Sequence, residues 1–280
     1  MALALIVASL LMVPLQVPQQ HISPRPVAKD VLATVNGVQI TGAQVEPLLW
    51  DWRGHEVLQD LISFELVRAE SHRLNIQVPE IQVLKVIDDQ MIAMRANVPK
   101  GKDVNQALRE QGYPMSRLYI SVKGDLMLQA LAERRFDPKG FANVSTMIFP
   151  IASAAATDIN AAITAAQAAA KRLNDGEKWE DVVKSTQTDD RLVQTNGVLG
   201  WRLFSAFPEP ARAELMSGPV GKVTTPVQTA AGIQIFRLDS KGSQAKPEEV
   251  SELKDIYMRN AKTEILAGLR AKAKIEQLWK

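Results

Sequence analysis

The chain has no cysteine, which excludes disulfides, thiol nucleophiles and thiolate metal sites without fixing a compartment. It has only three histidines, His21, His55 and His72, all in the first quarter of its 280 residues. No two of them share i, i+4 spacing, and none has paired-carboxylate companions, so no metal site and no cofactor are expected. Aromatic residues are scarce at 5%, which leaves the core to aliphatic side chains. The 33 basic and 31 acidic residues nearly cancel, so there is no field to recruit nucleic acid. A phosphate-cradling glycine loop and a serine nucleophile elbow are missing too. The acid pairs Asp88-Asp89 and Asp189-Asp190 have no general-acid partner in sequence.

What is present is ordinary globular material, 46% hydrophobic and 23% charged, in a length that suits one large or two ordinary domains. Ala2 to Val17 is nearly all apolar, closer to the core of a signal peptide than to the roughly 20 residues of a membrane span. It is read as a signal peptide or a retained anchor, although no Lys or Arg precedes it. Gln16 to Lys29, with Pro18, Pro24 and Pro26, reads as an extended tether.

Beyond the tether, Asn36-Gly37 between alternating apolar residues predicts a tight hairpin. Thr41 with Gln44 has the spacing of a capping box and opens a helix. Val57, Leu58, Leu61, Ile62, Leu66 and Val67 then recur at helical spacing. Pro79 starts a helix through Ile81, Leu84, Ile87 and Met91, Asp103 to Glu110 forms another that stops at Gly112, and Ser116 caps a fourth. Asp137-Pro138-Lys139-Gly140 marks a boundary. After it come an apolar strand, Val144 to Phe149, an alanine-rich helix, Asp158 to Leu173, and a short helix, Trp179 to Lys184. Two strands follow, Val223 to Val227 and Ile233 to Leu238, joined by a turn at Ala230-Ala231-Gly232. A long helix from Pro247, with an apolar stripe as far as Ile275 and Leu278, is expected to pack on the N-terminal helices. Met91, Met94, Met115, Met127 and Met258 suit either an adaptable groove or plain core filling. Trp50 and Trp52 cannot share one helix face, so one of them is expected to stand exposed as a peptide platform.

The most specific stretch is Asn196-Gly197-Val198-Leu199-Gly200-Trp201, followed by Gly221-Lys222-Val223-Thr224-Thr225-Pro226-Val227-Gln228-Thr229 and Gly232-Ile233-Gln234-Ile235. It resembles the signature of the parvulin prolyl isomerases. Together with the hairpin, the helical region and the returning C-terminal helix, it makes the chain similar to the SurA and PrsA class of exported chaperone-foldases. That resemblance implies an α+β fold: a helical chaperone module, built from N-terminal helices and a C-terminal helix, with an inserted parvulin-like α/β domain. The corresponding boundaries are 1–17 for the signal peptide or anchor, 18–29 for the tether, 30–136 for the N-terminal chaperone domain, 143–241 for the parvulin-like domain and 247–280 for the C-terminal helix.

Isomerisation at an X-Pro bond must overcome a barrier of about 18–20 kcal/mol, with no proton transfer or covalent intermediate required. An apolar slot for the ring and polar groups favouring the twisted amide suffice. The resemblance puts Leu199 and Thr229 at matching positions, and Asp189 or Asp190 where the acidic or thiol residue belongs. It also puts Thr146 and Gln234 where two histidines are expected, Ala211 at the pocket phenylalanine and Phe207 at the methionine before it. Phe207 either refills the slot from the next turn or simply plugs the core. The site residues carried forward are therefore Thr146, Asp189 and Gln234 for catalysis and Leu199, Phe207, Ala211 and Thr229 for substrate.

The implied function is that of an exported chaperone, periplasmic or in the cell envelope, which holds unfolded or nascent exported polypeptides and carries a degenerate isomerase site. No nucleic-acid partner is implied, and membrane attachment arises only through an N-terminal anchor. Two alternatives stand beside it: a weak but active prolyl isomerase, and a structural docking module of an export or assembly complex.

Overall fold

A computed structural model describes residues 17–18, 21–22, 24–96, 98–99 and 101–279. The apolar run read as a signal peptide or anchor lies, but for Val17, outside the described residues. Among the described residues no helix is long and apolar enough to cross a membrane. The chain divides into two compact units, Met1–Arg134 with Ala261–Lys280, and Arg135–Asn260.

The first unit opens with β1 (Val31–Val35) and β2 (Val38–Thr41), an antiparallel pair. Asn36 and Gly37 both take positive φ, 50° and 84°, the conformation a two-residue hairpin turn demands. At Thr41 the capping box forms, with the Thr41 amide donating to Gln44 Oε1 at 2.8 Å. It starts α1 (Gly42–Leu49), which passes through a π-helical turn, Trp50–Gly54, into α2 (His55–Arg73). Both tryptophans of that turn are exposed, Trp50 at 60% and Trp52 at 70%, where one alone is expected from the sequence. Next come α3 (Glu80–Arg95), α4 (Val104–Glu110), capped by the Asp103 carboxylate, and α5 (Met115–Arg135), which begins one residue before Ser116. Val83 and Ile87 of α3 pack with Leu118, Tyr119 and Val122 of α5, and Val17 joins from the side. Met127 is buried and Met91 and Met115 are half-buried against the same helices, so these methionines fill core. His55 and His72 are both exposed on α2.

The second unit holds a four-stranded antiparallel sheet in the order β4-β3-β6-β5. Its elements are β3 (Phe141–Phe149), α6 (Ala156–Asn174), α7 (Trp179–Thr186), α8 (Asp190–Gln194), β4 (Val198–Leu203), α9 (Glu209–Ser217), β5 (Val227–Thr229) and β6 (Gly232–Lys241). Side chains alternate across β3. Met147 and Phe149 meet α6 and α7, where Ala162, Ala166 and Ala169 let the helix approach closely. Ala142 and Val144 face the other way, toward Phe204, Phe207, Ala211 and Leu215. Phe141 forms a third cluster with Trp201 and Leu253.

Val198 to Leu203 forms strand β4, which bends at Gly200 (φ 74°). Two sequence expectations are corrected. Val223 to Val227, read as a strand, makes only a single bridge, Val223 to Arg237, before β5 begins at Val227; Pro226 has no amide proton to donate. Finally, α10 (Pro247–Lys272) ends before Ile275 and Leu278, and its two halves have different surroundings. Leu253 is buried in the second unit against Phe141 and Trp201. In the first unit Ala261 and Ile265 are buried, Lys262 pairs with Asp125 at 2.8 Å, and Arg270 donates to Ser63 Oγ at 2.6 Å.

Because Leu253 is fully buried, truncating it should leave a cavity beneath Phe141 and Trp201. Leu253→Ala is expected to destabilise the second unit by about 2–5 kcal/mol, read as a lowered urea midpoint with Trp201 fluorescence as the probe.

Candidate functional sites

The face of the sheet opposite α6 carries most of the residues singled out from sequence. Thr146 pairs with Phe236, and Gln234 pairs with both Ile148 and Val227, so Thr146 and Gln234 are diagonal neighbours on one face. Thr146 is fully buried, and its hydroxyl donates to the Ile235 carbonyl at 3.1 Å. Gln234 is half-buried, and among the described residues its side-chain amide has no hydrogen-bond partner. Phe207 and Ala211 are both buried in the cluster beside them, with the Phe207 and Phe236 rings edge to face at 5.2 Å. Leu199 packs half-buried against the same cluster. Pro208 and Pro210 do not prevent a helix here. They occupy the cap and first turn of α9, where a missing amide proton costs nothing. Phe207 lies just before that helix and reaches the cluster independently of helical spacing.

The remaining two residues have other work. Thr229 Oγ1 donates to the Gly232 carbonyl and accepts from the Ala231 amide, both at 3.1 Å, which ties the β5–β6 turn. Asp189 caps α8, accepting from the Arg191 amide at 2.9 Å and pairing with the Arg191 guanidinium at 3.3 Å. Those bonds hold its carboxyl below the usual range, and no hydrogen bond joins it to Thr146 or Gln234. Sequence reasoning passed over Gln187. It is buried, and its Oε1 accepts from the Ile148 amide at 2.9 Å, which continues the β3 ladder beyond the last bond from β4, Thr146 N to Gly197 O at 2.8 Å. A lone glutamine has no motif to announce it.

In the first unit, a cavity of about 570 Å³ opens between α2 and α5. Val57, Leu61, Phe64, Val67, Ile120 and Leu128 give it an apolar lining. Arg117 sits on its rim, bonded to Glu56 at 2.7 Å and Asp60 at 3.1 Å, with its guanidinium 5.1 Å from the Tyr113 ring centre. Hydrogen bonds from Arg53 and Arg117 hold the Glu56 carboxyl below its ordinary range, so this rim is fully paired at neutral pH and loosens as Glu56 protonates in acid. Arg53 and Val57 also line a second hollow of about 380 Å³ with Leu49, Trp50 and Gly54. The two form one trough whose middle, Val57, is 54% exposed. A trough of this kind offers contact area to apolar side chains, with charged groups held in ion pairs at its rim.

Residues 147–240 match the family model described as Rotamase: PPIC-type PPIASE domain. The matched stretch takes in Gln234 and begins one residue after Thr146. The second unit thus carries a parvulin-type domain. Over 110 residues, 38% of this chain and 26% of the relative, the sequence is 32% identical to the chaperone SurA of Pseudomonas aeruginosa. Over 224 residues, 69% of this chain and 52% of the relative, it is 24% identical to the chaperone SurA of Pseudomonas syringae pv. tomato. The chain therefore spans about half the length, or less, of the curated relatives it matches. Among solved structures, a peptidylprolyl isomerase, PrsA, from Bacillus cereus shares the fold, with a TM-score of 0.53 at 16% identity over 91% of this chain and 96% of that one. The chain is similar to the SurA/PrsA-type chaperone-foldases, helical module and parvulin-type domain together.

Gly197 is the tightest point beside the sheet site. Its φ is 68°, and a Cβ there would collide with the Thr146 carbonyl. Gly197→Ala is expected to break the Thr146–Gly197 bond and lower stability by about 1–3 kcal/mol, read as faster amide hydrogen exchange at Thr146 and a lowered thermal midpoint.

Proposed function

We propose that this protein is an extracytoplasmic chaperone that holds unfolded polypeptide segments in the trough of its helical unit, and that its parvulin-type domain is a degenerate isomerase. The observation that carries this reading is the trough itself: an apolar floor, a half-exposed Val57 and the exposed Trp50. Contiguous exposed apolar surface on this scale is characteristic of binding sites. Support also comes from the curated relatives, both named chaperones. Burying a valine-sized side chain is worth about 1.5–3 kcal/mol, so one charge placed at the middle of the trough should be felt.

The degenerate site rests on Thr146 and Gln234 at the positions where two histidines are expected. Neither carries a charge that changes near neutral pH. Thr146 has already committed its proton to Ile235, and Phe207 fills space beside Phe236. A second reading, a slow prolyl isomerase, is favoured by the unpartnered Gln234 amide, which has a donor and an acceptor to offer a twisting X-Pro bond.

Two measurements test the proposal. The full chain should suppress aggregation of a heat-unfolded client followed by light scattering, and Val57→Asp should weaken that protection about ten-fold; undiminished protection would remove the trough from the mechanism. NMR exchange on a panel of X-Pro peptides should show no acceleration by the wild-type protein. Acceleration that disappears in Gln234→Ala would instead establish the isomerase reading.

A further inference from the structure

We propose that the segment Lys274–Trp279 is a displaceable strap, docked by the protein on the Trp50–Gly54 end of its own trough. An unfolded client must move it aside to use that end. The consequence for clients rests on the holding function proposed above; the docking itself does not.

The helical unit puts an indole against a glycine. Trp279 lies over Gly54, and a Cβ on Gly54 would stand 2.6 Å from one ring carbon of Trp279 and 3.2 Å from another. The Trp50 ring meets the same indole edge to face, with centres 6.0 Å apart. Gly54 is buried in the middle of a nearly continuous helical run from α1 to α2, where alanine would serve helix formation better. The indole accounts for the missing side chain.

The strap is lightly held. After Ala273, which still bonds to the Leu269 carbonyl, no described backbone hydrogen bond joins it to the helices. Gln277 accepts from Gln59 at 3.3 Å and donates to the Trp279 carbonyl at 3.0 Å. Lys274 and Glu276 pair only with each other, at 2.7 Å. Trp279 itself remains 44% exposed. One ring contact and one amide pair make a reversible attachment. Its position gives it consequence, because Trp50 and Gly54 also line the end of the trough. A strap docked about nine-tenths of the time would lower the apparent affinity of a competitor for that end about ten-fold.

The test uses the full chain and its Trp279→Ala variant. A synthetic peptide with the sequence Lys274–Trp279, added in trans, should bind Trp279→Ala, seen as shifts of the Trp50 indole proton in NMR. It should bind at least ten-fold more weakly to Trp279→Ala carrying Gly54→Val. Reduced, carboxymethylated α-lactalbumin, a permanently unfolded probe, should bind Trp279→Ala about ten-fold more tightly than wild type. Absence of peptide binding in trans overturns the docking, and unchanged client affinity in Trp279→Ala overturns the competition. Concentration-dependent dimerisation in sedimentation, abolished by Trp279→Ala, would mean that the segment docks on a second copy and would overturn self-docking. The holding function fails separately, if the unfolded probe binds neither wild type nor variants while the peptide still binds.

Discussion

The central strand β3 is the constraint on which the parvulin-type unit depends. It pairs with β4 on one edge and β6 on the other, and its residues enter all three apolar clusters of the unit. Burial on both faces requires every backbone group to be paired, since an unpaired buried amide costs about as much as the bonds around it contribute. Beyond Ser145 β4 diverges, and the ladder is completed by two substitutes, the Gly197 carbonyl and the Gln187 side chain. Both stand beside the sheet face that presents Thr146 and Gln234. The geometry of that face is therefore set by backbone pairing more than by the chemistry of the two residues it displays.

This separation leaves the residues displayed on that face free to vary without disturbing the strand beneath them. Rotation about an X-Pro bond asks for an apolar slot and suitable polar groups, and each can change without disturbing β3. Thr146 has turned its hydroxyl to its own sheet, Asp189 its carboxylate to α8. Such groups stabilise the fold they belong to. Of the residues grouped on this face, only Gln234 presents a polar group without a hydrogen-bond partner among the described residues.

Much of this was legible in the chain because it is written locally. Asn36-Gly37, the Thr41–Gln44 box and Asp103 before α4 act on neighbouring backbone, and their spacing states what they do. The alanines of α6 likewise announce a helix packed close. Where tertiary context decides, the sequence misled. The long apolar stripe after Pro247 concealed a change of surroundings midway along α10. The π-helical turn at Trp50 has no signature, and the burial of Gln187 follows from where β4 departs. On the sheet face, alternation along β3 and β6 was enough to group Thr146 with Gln234; the engagement of Asp189 and Thr229 with their own turns was not.

The insertion of one unit within the other has a consequence for synthesis. Residues 135–260 are complete in themselves, and Gly242 lies so close to the Pro138 carbonyl that no side chain would fit between them. Nearer its two ends the Phe136 and Tyr257 rings lie 5.8 Å apart, so the stretch begins and finishes side by side. The helical unit, by contrast, includes residues made before and after that stretch. On a ribosome the inserted unit can fold while the helical one still lacks Ile265 and Arg270. Once folded, it brings Arg134 and Ala261 within reach of one another, and so removes most of the entropy cost of closing a long loop. The parvulin-type domain is in this sense a folding aid to the chain that carries it.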